Sequence, residues 1–336
     1  MEMDKQVKYS VIIPIYNRPD EALELLESLA NQTYTNFEII MVEDGSSLPC
    51  KDVVDQFSDK LDLVYFFKPN SGPGDSRNFG MDKASGDYLL FFDSDCVIPA
   101  QYFSEVEKAF IQNPLDAFGG PDAADASFSL VQKAINYAMT SIITTGGVRG
   151  KENKLDAFQP RSFNMGISRE VYTKVGGFGN IHPGEDPDLS YRIMEAGFKV
   201  GLIPNAFVYH KRRVDFKKFA KQVYKFGVVR PILIKWYPHR FKPTYLLPSL
   251  FLLGSLAFIA GGFWLPLLWQ LLGLFAGIIF LDATFRTKNP AIAIMAVLAT
   301  FVQMYGYGFG FLKGFWKILV LKQDEKKAFP GFFFRP

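Results

Sequence analysis

Residues 93–95 read Asp-Ser-Asp at the end of the apolar run YLLFF, and residues 186–188 read Asp-Pro-Asp just before LSYRIMEAG. Two carboxylates that close repel one another unless something cationic lies between them. A hard divalent ion, held by one or two carboxylates and by phosphate oxygens, meets that need, and Mg2+ or Mn2+ suits oxygen ligands. A chain of this length holds about one such triplet by chance, so context has to separate the two. Asp93 and Asp95 close a buried strand, which sets them at the carboxyl edge of a sheet where ligands gather. The plainer alternative there is a solvated Asx-turn. Asp186 and Asp188 instead precede a helical stretch, where an Asp also serves as an N-cap.

The elements that must position these groups follow from the pattern of the first 210 residues. YSVIIPI (9–15), FEIIMVED (37–44), LDLVYFF (61–67) and DYLLFFD (87–93) read as strands. They alternate with helical stretches near 20–32, 51–58 and 75–84, the first carrying Ala22, Leu25, Leu26 and Leu29 at helical spacing. Strands alternating with helices predict an α/β domain with a mainly parallel, doubly wound sheet. Its strand ends, Tyr16–Asn17, Glu43–Asp44 and Asp93–Asp95, are all polar, as a site at that edge requires.

The formal net charge of +3 is too small to imply a nucleic-acid partner. Two cysteines, Cys50 and Cys96, without any CxxC or Cys/His cluster, exclude a disulfide framework and structural zinc and suit a reducing compartment. The apolar run VIIPI is too short for a signal-peptide core. The charge is unevenly placed: Lys211 to Lys242 holds eleven Lys/Arg against one acid, Asp215. With Phe, Val, Ile, Trp and Tyr interleaved, 215–240 reads as an amphipathic helix lying on anionic headgroups.

Residues 245–281 then carry no charge at all, broken by GGFWLP at 261–266. One helix of that length far exceeds a hydrocarbon core of about 30 Å, whereas two of roughly 18 residues fit. The expected layout is spans at 244–261, 264–282 and 290–312, a basic juxtamembrane segment at 211–243, and a tail at 323–336. Positive charge at 211–242 puts the α/β domain on the cytoplasmic side of the cell (inner) membrane. Three spans would leave Lys313, Lys317 and Lys322 outside, against that rule, so the path of 305–322 stays open.

Four blocks together, PIYNRP (14–19), VEDGSS (42–47), GDSRNFGMDKASGDYLLFFDSD (74–95) and GEDPDLSYRIMEAGF (184–198), resemble the family-2 glycosyltransferases in order and spacing. The resemblance covers about residues 8–210 and implies a GT-A (Rossmann-like) catalytic domain followed by an α-helical transmembrane region. It implies that Pro14 and Tyr16 flank a nucleotide base with Asp44 on its edge. Arg77 would meet the nucleotide or its phosphates, and Asp93 and Asp95 the donor diphosphate through a metal, with His210 near that metal. Glu43 stands where the family often has a second Asp. Asp186 takes the role of base, removing a proton from an acceptor hydroxyl that attacks opposite the departing diphosphate. Asp188 is then left as a helix cap. Gly119, Gly120, Pro121, Asp122, Asn164 and Glu185 are implied as sugar- or acceptor-lining. Gln222-Val-Tyr-Lys-Phe226 departs from the Q-x-x-R-W pattern of processive synthases, which favours transfer of a single sugar.

The implied protein is a membrane-anchored, metal-dependent (Mn2+ or Mg2+), inverting transferase. It takes a UDP- or GDP-sugar donor and a hydroxyl acceptor on a lipid-linked or cell-surface glycan, beside membrane lipids and without nucleic acid. One alternative is a polyprenyl-phosphate glycosyltransferase. Others are a nucleotidyltransferase, which PIYNRPDE does not suit because it is not a Gly-rich phosphate loop, and a non-catalytic nucleotide-sugar-binding scaffold.

Overall fold

The computed structural model describes residues 6–123, 128–145, 158–211 and 215–334. Arg212 and Arg213 of the basic segment lie outside them. The chain divides into two compact units: residues 1–123, 156–210 and 333–336, and residues 124–155 with 211–332.

The first unit runs β1 (Tyr9–Ile15), α1 (Pro19–Ala30), β2 (Phe37–Asp44), α2 (Lys51–Asp55), β3 (Leu63–Lys68), α3 (Pro73–Lys83), β4 (Tyr88–Phe92), β5 (Cys96–Val97), α4 (Tyr102–Gln112), β6 (Ala117–Gly119) and β7 (Asp122–Ala123). After two helices of the second unit, α5 (Leu130–Thr140) and α6 (Ile142–Thr145), it resumes with β8 (Asn164–Ser168), α7 (Arg169–Val175), α8 (Glu185–Glu195), β9 (Val200–Leu202) and β10 (Val208–His210). The main sheet has the order β3-β2-β1-β4-β8-β6-β9. Strands β1 to β4 pair in parallel, and β8 alone runs against its neighbours β4 and β6. This is the mainly parallel, Rossmann-like arrangement expected.

Core formation explains the alternation. On β4, Phe91 and Phe92 are both fully buried but face opposite layers. Phe92 packs edge-on to Tyr102 of α4, and Phe91 edge-on to Phe178. Helix α1 buries the predicted Ala22, Leu25, Leu26 and Leu29. Pro14 sits beyond Ile12–Phe91, the last pair between β1 and β4, where a missing N–H costs that ladder nothing. One local expectation is corrected. Asp188 does not cap α8: the cap is Gly184, at φ +125, and Asp188 lies a turn inside, accepting from Arg192 Nε and Nη2 at 3.1 and 2.9 Å. A left-handed backbone at that entry selects glycine over aspartate.

The second unit adds α9 (Phe216–Trp236), α10 (Leu247–Gly261), α11 (Leu267–Thr287), α12 (Pro290–Gly314) and α13 (Glu325–Ala328). Three of its helices, 243–261, 267–287 and 290–320, are long and apolar enough to cross a membrane. Helices α10 and α11 form a hairpin, with Phe251 and Phe275 ring to ring at 5.0 Å. Helix α12 lies against α9 through a run of glycines. A Cβ on Gly310 would fall 2.2 Å from the Tyr224 carbonyl oxygen, and one on Gly314 2.7 Å from that of Val228. Backbone contact this close is open only to residues without a side chain. Helix α5 packs in the same group, Ala134 and Tyr137 against Ile279, Ala283 and Ala293, with the Tyr137 hydroxyl donating to Asp282 at 2.6 Å.

Candidate active site

The carboxyl edge of β4 gives onto a second, three-stranded sheet, β5-β10-β7, which collects residues far apart in sequence. His210 lies opposite Cys96 across β5 and β10, and β7 brings in Asp122. As a result His210 Nε2 stands 3.2 Å from Asp95 Oδ1, and its Nδ1 stands 3.9 Å from Asp122 Oδ2. The imidazole stacks on Phe163 at 4.5 Å, which fixes its plane. An oxygen of Asp95, the Cys96 sulfur and a His210 nitrogen lie within 4.8 Å of one another. The thiol is engaged elsewhere: burial, then Asp95, push its pKa well up, and it donates to the Phe163 carbonyl at 3.5 Å. The remaining set, carboxylate and imidazole, fits a hard to borderline divalent ion such as Mn2+ or Mg2+.

The loop between β6 and β7 reaches this place through a backbone contact. A Cβ on Gly120 would lie 1.6 Å from the Ala206 carbonyl oxygen, so only glycine fits. Asn164 is fully buried behind it: its amide donates to the same Ala206 carbonyl at 2.8 Å and its Oδ1 accepts from Tyr102 at 2.6 Å. Its side chain holds the wall together and faces no opening.

A second acidic group joins the first through Arg77. This guanidinium is 3% exposed, donates from Nη2 to Asp93 Oδ1 at 2.6 Å, and has Nη1 3.6 Å from Glu185 Oε1. It also lies over the Phe178 ring at 5.2 Å. Burial opposes the charge on Arg77, but Asp93, Glu185 and Asp186 outweigh it and raise its pKa.

Glu185 and Asp186 are adjacent yet tuned apart. Burial disfavours the Glu185 carboxylate, but His182, whose Nδ1 lies 2.8 Å away, and Arg77 more than offset this and hold it below the usual range. Asp186 goes the other way, raised by burial and then by the Glu185 charge, against the pull of Arg77 and Arg161. Its Oδ1 is buried without a hydrogen-bond partner among the described residues. A pair of carboxyls pushed in opposite directions is the arrangement in which one stays ionised and the other takes up a proton.

At the other end of the edge, Asp44 is 3% exposed and accepts from Lys68 Nζ at 2.6 Å, Ser71 N at 2.9 Å and Gly72 N at 2.8 Å. Of the roughly four lone-pair sites of a carboxylate, three are taken, which leaves one for a ligand. Tyr16, 53% exposed, follows β1 directly after Ile15, the partner of Glu43 across β1 and β2. Its neighbour Asn17, at φ +54, ties the two loops: its N–H donates to Ser46 Oγ at 2.7 Å, and its Oδ1 accepts from Ser47 N and Leu48 N at 2.8 and 2.9 Å. Glu43 is fully buried beneath, accepting from Ser46, from Cys50 N at 2.8 Å and from Tyr65 at 3.3 Å. Its place in VEDGSS is thus that of an anchor for the loop.

Of the residues expected from sequence, Asp95, Asp122 and His210 gather around one point, Asp93, Arg77, Glu185 and Asp186 around another, and Tyr16 and Asp44 stand at the other end of the edge. Sequence reasoning missed Lys68, His182 and Arg18, whose Nη1 is 3.9 Å from Asp95 Oδ2. Arg18 was readable in PIYNRP; the other two carry no local signal.

A mainly parallel, Rossmann-like sheet with acidic groups at its carboxyl edge is thus in place, and its sequence is similar to known glycosyltransferases. Residues 10–176 match the model of Glycosyl transferase family 2. An uncharacterised glycosyltransferase of Haemophilus influenzae is 31% identical over 192 residues, 55% of this chain and 62% of that protein. One from Rickettsia bellii is 42% identical over 91 residues, which is 27% of this chain but only 13% of the relative. The poly(ribitol-phosphate) beta-N-acetylglucosaminyltransferase TarS of Staphylococcus aureus is 42% identical over 109 residues, 31% and 19% of the two chains. This chain thus spans less than two thirds of these relatives' length. Among solved structures, a mannosyltransferase of Pyrobaculum calidifontis in complex with GDP-Man and Mn2+ superposes with a TM-score of 0.64 over 88% of each chain, at 16% identity, which establishes a shared GT-A-like fold.

Proposed function

We propose that this protein is a membrane-associated, metal-dependent, inverting glycosyltransferase that moves one sugar from a nucleotide-sugar donor to a hydroxyl acceptor, on a lipid-linked or cell-surface glycan. The observation that carries the reading is the cluster built on buried Arg77, with Asp93 on one nitrogen, Glu185 near the other, and next to Glu185 the buried Oδ1 of Asp186, which has no hydrogen-bond partner among the described residues. A base with a raised pKa takes the acceptor proton more readily than an ordinary aspartate. A phosphate acceptor, as in polyprenyl-phosphate transfer, would need little from it.

Tyr16 and the remaining lone pair of Asp44 hold the nucleotide base, with Pro14 beneath. Asp95 and His210 would hold the divalent ion, which would offset charge developing on the departing diphosphate. Arg77 pairs with Asp93 and orients it. Asp186 removes the acceptor hydroxyl proton, while Glu185, held ionised by His182 and Arg77, keeps Asp186 basic. Gly120 and Asp122 shape the sugar side of the pocket. The excess of positive charge in residues 211–242 and the apolar helices that follow support a site working at the cytoplasmic face of a membrane, where a lipid-linked acceptor would be at hand.

The relatives support the donor class. The Pyrobaculum mannosyltransferase was solved with GDP-Man and Mn2+, and TarS is a beta-N-acetylglucosaminyltransferase. A thermal-shift screen of UDP-, GDP- and dTDP-sugars with and without Mn2+ tests the reading. One donor should raise the unfolding midpoint only when metal is present; no metal-dependent shift with any of them removes the reading's main support.

A further inference from the structure

We propose that the chain crosses the membrane twice, through the α10–α11 hairpin, and that the third apolar helix, α12, lies in the membrane surface at the base of that hairpin. The inference rests on membrane association and on nothing else in the functional reading. Contacts within the second unit carry it. Near its start α12 meets the last turns of α11, Ile292, Ala293 and Ala296 packing with Ile279 and Ala283. A helix continuing antiparallel to α11 from there would reach the 262–266 turn after about 22 Å, the rise of fifteen residues. Instead, fifteen residues on, Gly308 meets the first turn of α10. Its carbonyl accepts from Ser249 Oγ at 3.2 Å, and a Cβ on it would fall 2.5 Å from the Pro248 carbonyl oxygen. Between these points Phe301 touches both legs, at 5.6 Å from Phe251 and 6.0 Å from Phe275. Helix α12 thus passes from the base of one leg to the base of the other.

Two further observations agree. Residues 210 and 333 belong to the same compact unit, so the chain between them makes an even number of crossings. Two crossings also return Lys313, Lys317 and Lys322 to the side of the basic α9, which removes the conflict with the distribution of positive charge. The occupant of the exposed stripe of α12, Ile294, Leu298 and Phe309, is then the lipid surface itself.

Single cysteines at Phe263, Lys288 and Gln323 test this in membrane vesicles of known sidedness, with a membrane-impermeant maleimide; the native Cys50 and Cys96 are buried. Lys288→Cys and Gln323→Cys should label from one side and Phe263→Cys from the other. Labelling of Gln323→Cys together with Phe263→Cys would establish three crossings and overturn the proposal. Labelling of all three from one side would overturn it equally. Neither result depends on activity, so the functional reading is judged separately.

A separate observation places Phe334 in the site. Its carbonyl accepts from Asn180 Nδ2 at 2.6 Å, its ring lies 6.1 Å from the His182 ring, and a Cβ on Gly72 would fall 2.4 Å from its ring carbons. Gly72 donates to Asp44, and His182 pairs with Glu185. We infer that Phe334 is a positioning residue that braces the donor loop, residues 70–73, against the loop leading into Glu185-Asp186. The inference rests on the proposed function for its kinetic arm only. In the full chain, Phe334→Ala should speed amide hydrogen exchange across residues 70–75 and 178–184 and raise the donor KM about tenfold with a smaller change in kcat. Phe334→Tyr should restore both. Unchanged exchange in those segments overturns the inference, whatever the activity of the wild type.

Discussion

His210 Nε2 stands 3.2 Å from Asp95 Oδ1, a pairing made by two short strands that meet only through the second sheet. An imidazole and a carboxylate at this distance either share a proton or share a cation, and the stacking of His210 on Phe163 holds the ring ready for either. The first prediction follows. Asp95→Asn and His210→Ala should each abolish Mn2+-dependent stabilisation by the donor and lower kcat/KM by roughly 100-fold or more, the scale of losing one preorganised transition-state contact. Titration of donor with and without Mn2+ checks this; metal-dependent binding that survives in both variants removes these residues from the metal site.

Asp186 is raised by burial and by Glu185, so its ionised form is lost as pH falls through a pKa higher than that of an ordinary aspartate. The acidic limb of kcat should therefore lie above the usual aspartate range. Glu185→Gln removes the charge that contributes to the shift, so the limb should move to lower pH. A pH–rate profile of the two proteins shows the direction; a limb that stays put or moves up contradicts the assignment.

Arg77 is buried against Asp93 and Glu185, with a third acid, Asp186, near it. Arg77→Met leaves those carboxylates without their cation, and breaking a buried pair from one side costs about 3–5 kcal/mol. Arg77→Lys should not rescue it, because one ammonium cannot replace a planar fork reaching two acids. Denaturant unfolding measures the loss, and a change below about 1 kcal/mol would show that the acids re-pair elsewhere.

How far the sequence discloses this site depends on the range of the interaction. The strand ends at Tyr16, Asp44 and Asp93 are legible because an apolar run ending in polar residues is a local pattern that the sheet must honour. The pairing of Asp95 with His210 is reachable from sequence only through the family resemblance, because no local rule brings β10 beside β5. Lys68 on Asp44 and His182 on Glu185 are tertiary pairings with no marker in their own neighbourhoods. Asp188 misleads for a physical reason: the cap preference for Asp is outweighed by the φ of +125 that the chain needs at Gly184. The three apolar helices are plain in composition, but composition does not show which of them crosses a membrane; that lies in where Gly308 meets Pro248.

The assignment of Asp186 as the base is tested most directly by Asp186→Asn, which keeps the side chain's shape and removes its ability to take a proton. Donor binding in the presence of Mn2+ should remain within a few-fold of wild type while single-turnover transfer to a hydroxyl acceptor falls by about 100-fold or more, the scale of general base catalysis. Transfer near the wild-type rate would contradict the account, since the proton would then leave by another route and the opposed tuning of Glu185 and Asp186 would have no part in the chemistry.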